Sequence, residues 1–176
     1  MIPSTIKTDR LLLRKLTLSD AKDVFEWVGD ERVSKYMIYT TYKEIKEVEK
    51  WISSLQNNVM NFEFGFERLS DGKLIGSGSV RYESEKDRWI FGYNLRYDCW
   101  GNGYATEAAK AMINFAQTNF NARKFASCHC EPNIASGKVM KKCGLHFVGY
   151  GKFEKLDGSC PQRTMEYEGV LDAPVK

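Results

Sequence analysis

The hydrophobic period of this chain changes once between residues 17 and 95, and that change restricts the fold more than any other feature. Up to Leu55, apolar residues recur at helical spacing: Ala21, Val24, Phe25 and Val28, then Ile45, Val48, Ile52 and Leu55. From Asn61 the spacing becomes two, and NFEFGFERL sets Phe62, Phe64 and Phe66 against polar or small neighbours. Such alternation is the mark of a half-buried strand. Asp71-Gly72 then supplies a pair that tolerates the positive φ of a tight hairpin. A second strand over Leu74–Tyr82, the turn ESEKD and a third strand over Arg88–Leu95 complete an antiparallel meander.

The flanking segments read in the same way. TDRLLLRKL predicts a first strand, Arg10–Leu16, followed by a helix with start residues Thr17, Ser19 and Asp20 and an end at Gly29. A short helix is expected over Glu31–Met37. Thr41 and Glu44 form a capping box for a helix running to Asn57 or Asn58. Beyond the meander, a helix from Thr106 to about Phe120 turns Ala108, Met112, Ile113 and Ala116 inward. KFASCHCE reads as a strand, Ile134–Cys143 as a short helix closed by Gly144, and HFVGYGKFEKL with QRTMEYEGVL as a final hairpin. Strands and helices interleaved around an antiparallel centre predict a mixed α/β (α+β) sheet. At 176 residues the chain fits a single domain, 1–176.

Charge excludes several function classes. The net charge of +3 arises from 26 basic and 23 acidic residues scattered along the chain, so no basic stripe announces nucleic acid. No apolar run approaches the ~20 residues of a membrane span, and the opening MIPSTIKTDR lacks a signal-peptide core, which makes the cytoplasm the expected location. Five cysteines, at 99, 128, 130, 143 and 160, have no framework spacing and read as reduced thiols. Cys128-His129-Cys130 lacks the second ligand pair of a zinc site, so no metal is expected. On a strand, both thiols would point into the core and His129 outward or into a cleft.

One segment has a shape that suits a ligand. In DCWGNGYATEAAKAMINFA, two glycines precede an apolar-periodic helix. The first N–H groups of a helix lack internal partners, the dipole adds positive character, and glycine lets an oxyanion reach the backbone. A phosphate-bearing ligand is the functional reading, while a tight turn that needs glycine for its conformation alone is the plainer one. GxxxxGK followed by Ser or Thr is absent, and the dinucleotide GxGxxG would need glycine where Thr106 stands. Thr106 is free to serve as a helix cap.

WGNGYATEA, Trp100–Ala108, resembles the acyl-coenzyme A pyrophosphate loop of the GNAT superfamily of N-acetyltransferases, with its Gln/Arg-Gly-x-Gly-x-Gly/Ala pattern. Trp in place of Gln/Arg, followed by GxGYATEA, is similar to the ribosomal-protein N-terminal acetyltransferase branch. TDRLLLRKLTLSDAKDVFEWVGDERVSKYM resembles that branch's opening strand and helix, and PNIASGKVMKKCGL its Asn-x-x-Ser helix. The resemblance implies a curved six- to seven-stranded sheet flanked by helices, the acyl-CoA N-acyltransferase fold, splayed where acetyl-CoA enters. It further implies that backbone groups around Leu95 hold the pantetheine and acetyl part. Amides of Gly101, Asn102, Gly103, Tyr104, Ala105 and Thr106 would cradle the pyrophosphate, and Asn133 and Ser136 would approach from the other side. Glu107 has the wrong sign for that anion and reads as structural.

The implied reaction moves an acetyl group from acetyl-CoA to a primary amine, first of all the α-amine of a protein or peptide N-terminus. A small-molecule amine, such as a polyamine or aminoglycoside, is the alternative acceptor, and a non-catalytic acyl-CoA sensor is the alternative class. The acceptor groove is expected from Asp20 to about Met37 and from the hairpin loop Glu154–Gln162, in a monomer or homodimer. Many family members carry a Tyr acid four residues after Ser136, where this chain has Met140, so Ser136 becomes the candidate proton donor. Some carry a Glu base five residues before Asn133, where this chain has Cys128. That leaves the base open among His129, Glu67, Glu83, Glu154 and a water chain.

Overall fold

A computed structural model describes residues 2–55 and 60–175. Thr5–Lys7 (β1) and Leu11–Arg14 (β2) lead through a single 3-10 turn into Ala21–Val28 (α1), Glu31–Ser34 (α2) and Ile45–Ser54 (α3). The meander follows as Asn61–Arg68 (β3), Lys73–Glu83 (β4) and Arg88–Leu95 (β5). Then come Tyr104–Phe120 (α4), Lys124–Cys130 (β6), Ile134–Lys142 (α5), His146–Phe153 (β7) and Gln162–Val170 (β8). The sheet order is β1-β2-β3-β4-β5-β6-β8-β7, and β5 with β6 is the parallel pair among antiparallel neighbours. The mixed α/β sheet is as expected, with eight strands rather than six or seven, because Thr5–Lys7 adds a short edge strand.

Local chemistry explains most boundaries, and the starts of two helices depart from the expectation. Gly29 ends α1, its N–H bonding to the Phe25 carbonyl. Helix α3 is capped three residues later than expected, at Glu44 rather than Thr41: Glu47 accepts from the backbone N–H of Glu44 and Lys43, while the Thr41 hydroxyl bonds to Ser34 instead. The expected end of that helix at Asn57 or Asn58 lies outside the described residues. Helix α4 starts two residues before Thr106, because Gly103 in the left-handed region (φ +82°) is its N-cap, and Thr106 sits inside the first turn.

Period two gives the sheet two chemically distinct faces. Phe62, Phe64 and Phe66 pack with Val80, Trp89 and Phe91 under α4, whose Met112 and Ile113 are fully buried. Gly78 lets that helix approach closely, since a Cβ there would lie 2.7 Å from Phe66 and 3.1 Å from the Met112 methyl. The opposite face carries Glu63, Ser77, Ser79, Arg81 and Asn94 by the same alternation and register. A second cluster, Val24, Trp27, Val28, Val48 and Ile52 with Leu74, seats α1 and α3 beside that polar face. Among the described residues no helix is long and apolar enough to cross a membrane.

Candidate active site

The glycine turn is an exposed loop fixed at both ends. Gly101 and Gly103 both adopt positive φ, +77° and +82°, which an L side chain resists. A Cβ at Gly101 would meet nothing within 4 Å, and one at Gly103 only the Arg10 guanidinium at 3.4 Å. The backbone is thus bare on its open side. The first bond of α4 closes from the Glu107 N–H to the Gly103 carbonyl at 3.1 Å, so the N–H groups of Tyr104, Ala105 and Thr106 have no helical partner. This 17-residue helix directs its dipole at the loop. Such a turn fits a pyrophosphate, with bare backbone, unpartnered donors and positive character together.

Glu107 is turned toward β1 and β2. Its Oε1 accepts from the Thr8 hydroxyl (2.6 Å) and the Arg10 N–H (2.8 Å), and its Oε2 from Arg10 Nε (2.7 Å). Arg10 Nη1 in turn donates to the Asn102 carbonyl at 2.9 Å, and its guanidinium lies over the Tyr104 ring. Burial penalises the Glu107 charge, but the bonds from Thr8 and Arg10 outweigh it and hold the carboxyl below the usual range. The residue that bears the wrong sign for a phosphate is therefore the fastener of the loop that would hold it.

Strands β5 and β6 pair only at Trp89 with Phe125 and Ile90 with Ala126, then part. The Ser127 hydroxyl donates to the Phe91 carbonyl at 2.8 Å, the last tie between them. Beyond it, Tyr93 and Leu95 direct their backbone groups to the same unpaired edge as Phe91. The Leu95 carbonyl is occupied by Trp100 Nε1 at 2.9 Å, which leaves its N–H as the group that could serve a ligand. Asn133 and Ser136 border the gap on α5. Asn133 stands at the N-cap position without a side-chain cap bond, and its amide donates to Ser136 Oγ at 3.1 Å. With one lone pair so engaged, the Ser136 hydroxyl keeps its proton to donate. The Tyr93 hydroxyl reaches the Ser136 carbonyl at 3.4 Å, so a tyrosine arrives from β5 near the place where Met140 offers none. Burial pushes its phenol well above the ordinary range.

On the polar side of the sheet this gap opens into a cleft of about 400 Å³. Its floor includes Glu63, Ser79 and Gly92, and its walls Tyr36, Tyr39, Tyr42 and Trp51. Val28 and Met37 lie within the expected helical span and Leu156 within the expected hairpin loop, whereas Trp51 and the strand residues were not expected there. A buried lysine closes the roof: Lys155 Nζ donates to the carbonyls of Ser34 (2.7 Å), Met37 (3.0 Å) and Tyr39 (2.9 Å). The Leu156 N–H adds a bond to the Ile38 carbonyl at 2.8 Å. The Tyr39 hydroxyl is buried without a hydrogen-bond partner among the described residues, and burial raises its pKa.

The expected bases fare unequally. Glu67 is taken by Arg14 at 2.7 Å, Glu83 by Arg88 at 2.6 Å, and Glu154 is exposed. His129 borders the cleft but is buried, with Nδ1 on the Cys130 carbonyl at 2.8 Å and Nε2 turned to Gly137. Cys128 is exposed rather than buried, because its face of β6 opens to the cleft, while Cys130 is buried. The carboxylate that does lie in the cleft is Glu63, which sequence reasoning passed over. Burial raises its pKa, against hydrogen bonds from Asn61 and Ser79 and the charge of Arg81. No cluster of His, Cys, Asp or Glu among the described residues could hold a metal ion.

Residues 10–146 match the model of the acetyltransferase (GNAT) domain. The chain is 28% identical over 161 residues to the uncharacterized N-acetyltransferase p20 of Bacillus licheniformis, covering 88% of this chain and 89% of that one. It superposes on the RimL ribosomal L7/L12 alpha-N-protein acetyltransferase in complex with coenzyme A with a TM-score of 0.81, at 19% identity and 98% coverage of both chains. The spermidine N-acetyltransferase from Vibrio cholerae, in complex with CoA and spermine, gives a TM-score of 0.80 at 16% identity, covering 96% of this chain and 100% of that one. At such identities the two solved structures speak for the fold.

Proposed function

The chain belongs to the GNAT family of N-acetyltransferases, and from that premise we propose that acetyl-CoA lies along the parting of β5 and β6 and that a primary amine enters by the roofed cleft on the polar face. The protein is an acetyl-CoA-dependent N-acetyltransferase. The single observation that carries the assignment of its site is that one gap in the sheet opens into the chamber holding Glu63 while the end of its β5 edge, at the Leu95 carbonyl, is tied to Trp100 at the head of the bare glycine turn.

In this reading the N–H groups of Gly101 to Thr106 receive the pyrophosphate, and the free edge at Tyr93 and Leu95 receives the pantetheine arm. Asn133 holds Ser136, whose hydroxyl protonates the departing sulfur. The thioester supplies the activated acyl group; the chain supplies position, donors and a place for the protons. The Leu95 N–H is the candidate donor to the carbonyl oxygen, a contribution of the order of 10²–10³ in rate. The α-amine of a protein or peptide N-terminus is the first acceptor to test, since its pKa of about 8 demands little help in deprotonation. A small-molecule amine is favoured by a different observation, the Lys155 roof, which fastens the hairpin loop to the segment from Ser34 to Tyr39 beside the cleft.

Titration calorimetry with acetyl-CoA, followed in the same sample by thiol release against peptide and small-amine pools, tests the reading. Binding with release by one pool is expected. Absence of binding would remove the glycine turn from the site, and binding without release by any amine would remove the amine acceptor.

A further inference from the structure

Resting on the reading of an amine acceptor, we propose that Glu63 is the carboxylate that docks the acceptor as an ammonium ion and takes its proton, which makes the acceptor class a cationic amine carried on an apolar or aromatic stem. Glu63 pairs with Ser79 across β3 and β4, and Ser79 with Gly92 across β4 and β5. All three point to the polar face at one level of the sheet. Ile90 with Ala126 is the last pair between β5 and β6, so Gly92 and Cys128, each two residues on, flank the parting at that same level. The row therefore runs from a carboxylate, over a small hydroxyl and a glycine, to the gap in the sheet. With strands spaced about 4.8 Å apart, the Cα positions at its two ends are ~10 Å from each other. A Cβ at Gly92 would meet nothing within 4 Å, so the trough between them is open.

The surroundings of Glu63 suit a cation. Tyr36, Tyr39, Tyr42 and Trp51 line the same cleft, and ring faces attract an ammonium while accepting its hydrocarbon stem. The orphaned Tyr39 hydroxyl is a further polar group for the ligand. The charged group that acts on Glu63 is Arg81 on β4, and the phenols of Tyr39 and Tyr42, both raised by burial, line the walls of the same cleft. Cys128 and His129 lie beyond Gly92 on β6. Glu63 is hydrogen-bonded but makes no ion pair within 4 Å among the described residues, unlike Glu67 and Glu83.

The proton balance is complete. The ammonium gives one proton to the Glu63 carboxylate, which passes it to solvent. The freed lone pair forms the C–N bond, the C–S bond breaks with its electrons on sulfur, and the second nitrogen proton replaces the one that the Ser136 hydroxyl gives to the thiolate. One proton is released per acetyl transferred.

The test compares wild type with Glu63→Gln and Glu63→Asp, using 2-phenylethylamine and its neutral isostere 2-phenylethanol as probes in the presence of coenzyme A. Binding is read by nuclear magnetic resonance titration. Glu63→Gln is expected to weaken the amine at least tenfold, leave the alcohol within twofold, and leave coenzyme A affinity by calorimetry within twofold. Glu63→Asp should recover part of the amine binding. Where thiol release is measurable, Glu63→Gln should lower kcat/KM on the order of 10²–10⁴ near neutral pH, and the gap should close as pH rises past the amine's own pKa. Equal amine affinity in wild type and Glu63→Gln would overturn the proposal whether or not turnover is seen. Absence of thiol release in wild type with amine discrimination intact would instead count against the acetyl-transfer reading alone.

Discussion

Replacing Glu107 by alanine should loosen the glycine turn and destabilise the domain together, because one carboxylate ties both. The substitution removes the acceptor for the Thr8 hydroxyl, the Arg10 N–H and Arg10 Nε. Hydrogen bonds to a charged group contribute about 1.5–3 kcal/mol each at most. The Arg10 side chain is 47% exposed, so its ion pair belongs at about 0.2–1 kcal/mol, and water can replace much of the exposed backbone bond. The Thr8 bond is partly buried and keeps more of its value. Loss of a carboxylate in the first helical turn adds about 0.3–1 kcal/mol, and the better helix propensity of alanine returns a few tenths. The sum is about 2–3 kcal/mol, or roughly 5–10 °C in Tm for a domain of this size.

The pH dependence has a definite sign. The folded-state carboxyl lies below its ordinary value, so its stabilisation is present above the unfolded pKa of about 4.3 and fades as pH falls through the lower folded value. Thermal melts of wild type and Glu107→Ala should therefore differ fully at pH 7 and converge toward pH 3. A loss below about 0.5 kcal/mol at pH 7, or an equal gap at both pH values, would refute the fastening role. Acetyl-CoA affinity, measured above pH 6, should weaken because the Arg10 bond to the Asn102 carbonyl loses its anchor.

Gly103→Val places a β-branched residue at φ +82°, so a stability loss of about 1–2 kcal/mol is expected along with acetyl-CoA binding at least tenfold weaker by calorimetry. Unchanged affinity in folded protein would take the turn out of the site. Ser136→Ala should lower kcat more than it raises the Kd of acetyl-CoA, and equal effects on both would make Ser136 a binding contact only. Lys155→Met strips three carbonyls of their shared donor; hydrogen exchange over residues 34–42 should rise while acetyl-CoA affinity stays, and unchanged protection there would dismiss the latch.

The order of elements was legible because it is written in local patterns. Period two at Phe62, Phe64 and Phe66, the turn at Asp71-Gly72 and the helical stripe ending at Gly29 each act over a few residues, and each lies where expected. The glycine turn was legible for the same reason: positive φ at Gly101 and Gly103 is a property of the backbone itself. Cap choice was less so. Thr41 offered an apparent cap, but a hydroxyl has many partners, and Ser34 of the neighbouring helix took it.

What only the tertiary structure decided is which polar residues face a site rather than solvent. Alternation gives a strand two faces without saying what covers the second one, so Glu63 reads no differently from Glu67 until α1, α3 and the roof enclose one end of that face. Lys155 reads as a surface lysine, and its burial depends on three carbonyls at least 116 residues away in sequence. Glu107 finds its partners 97 and 99 residues away, where β1 hands over to β2. The backbone conformations that frame the site are local and were present in the sequence. The ionic and hydrogen-bonding partners that would determine which carboxylate is free to accept a proton are contacts across the fold, and their formation requires the packed sheet.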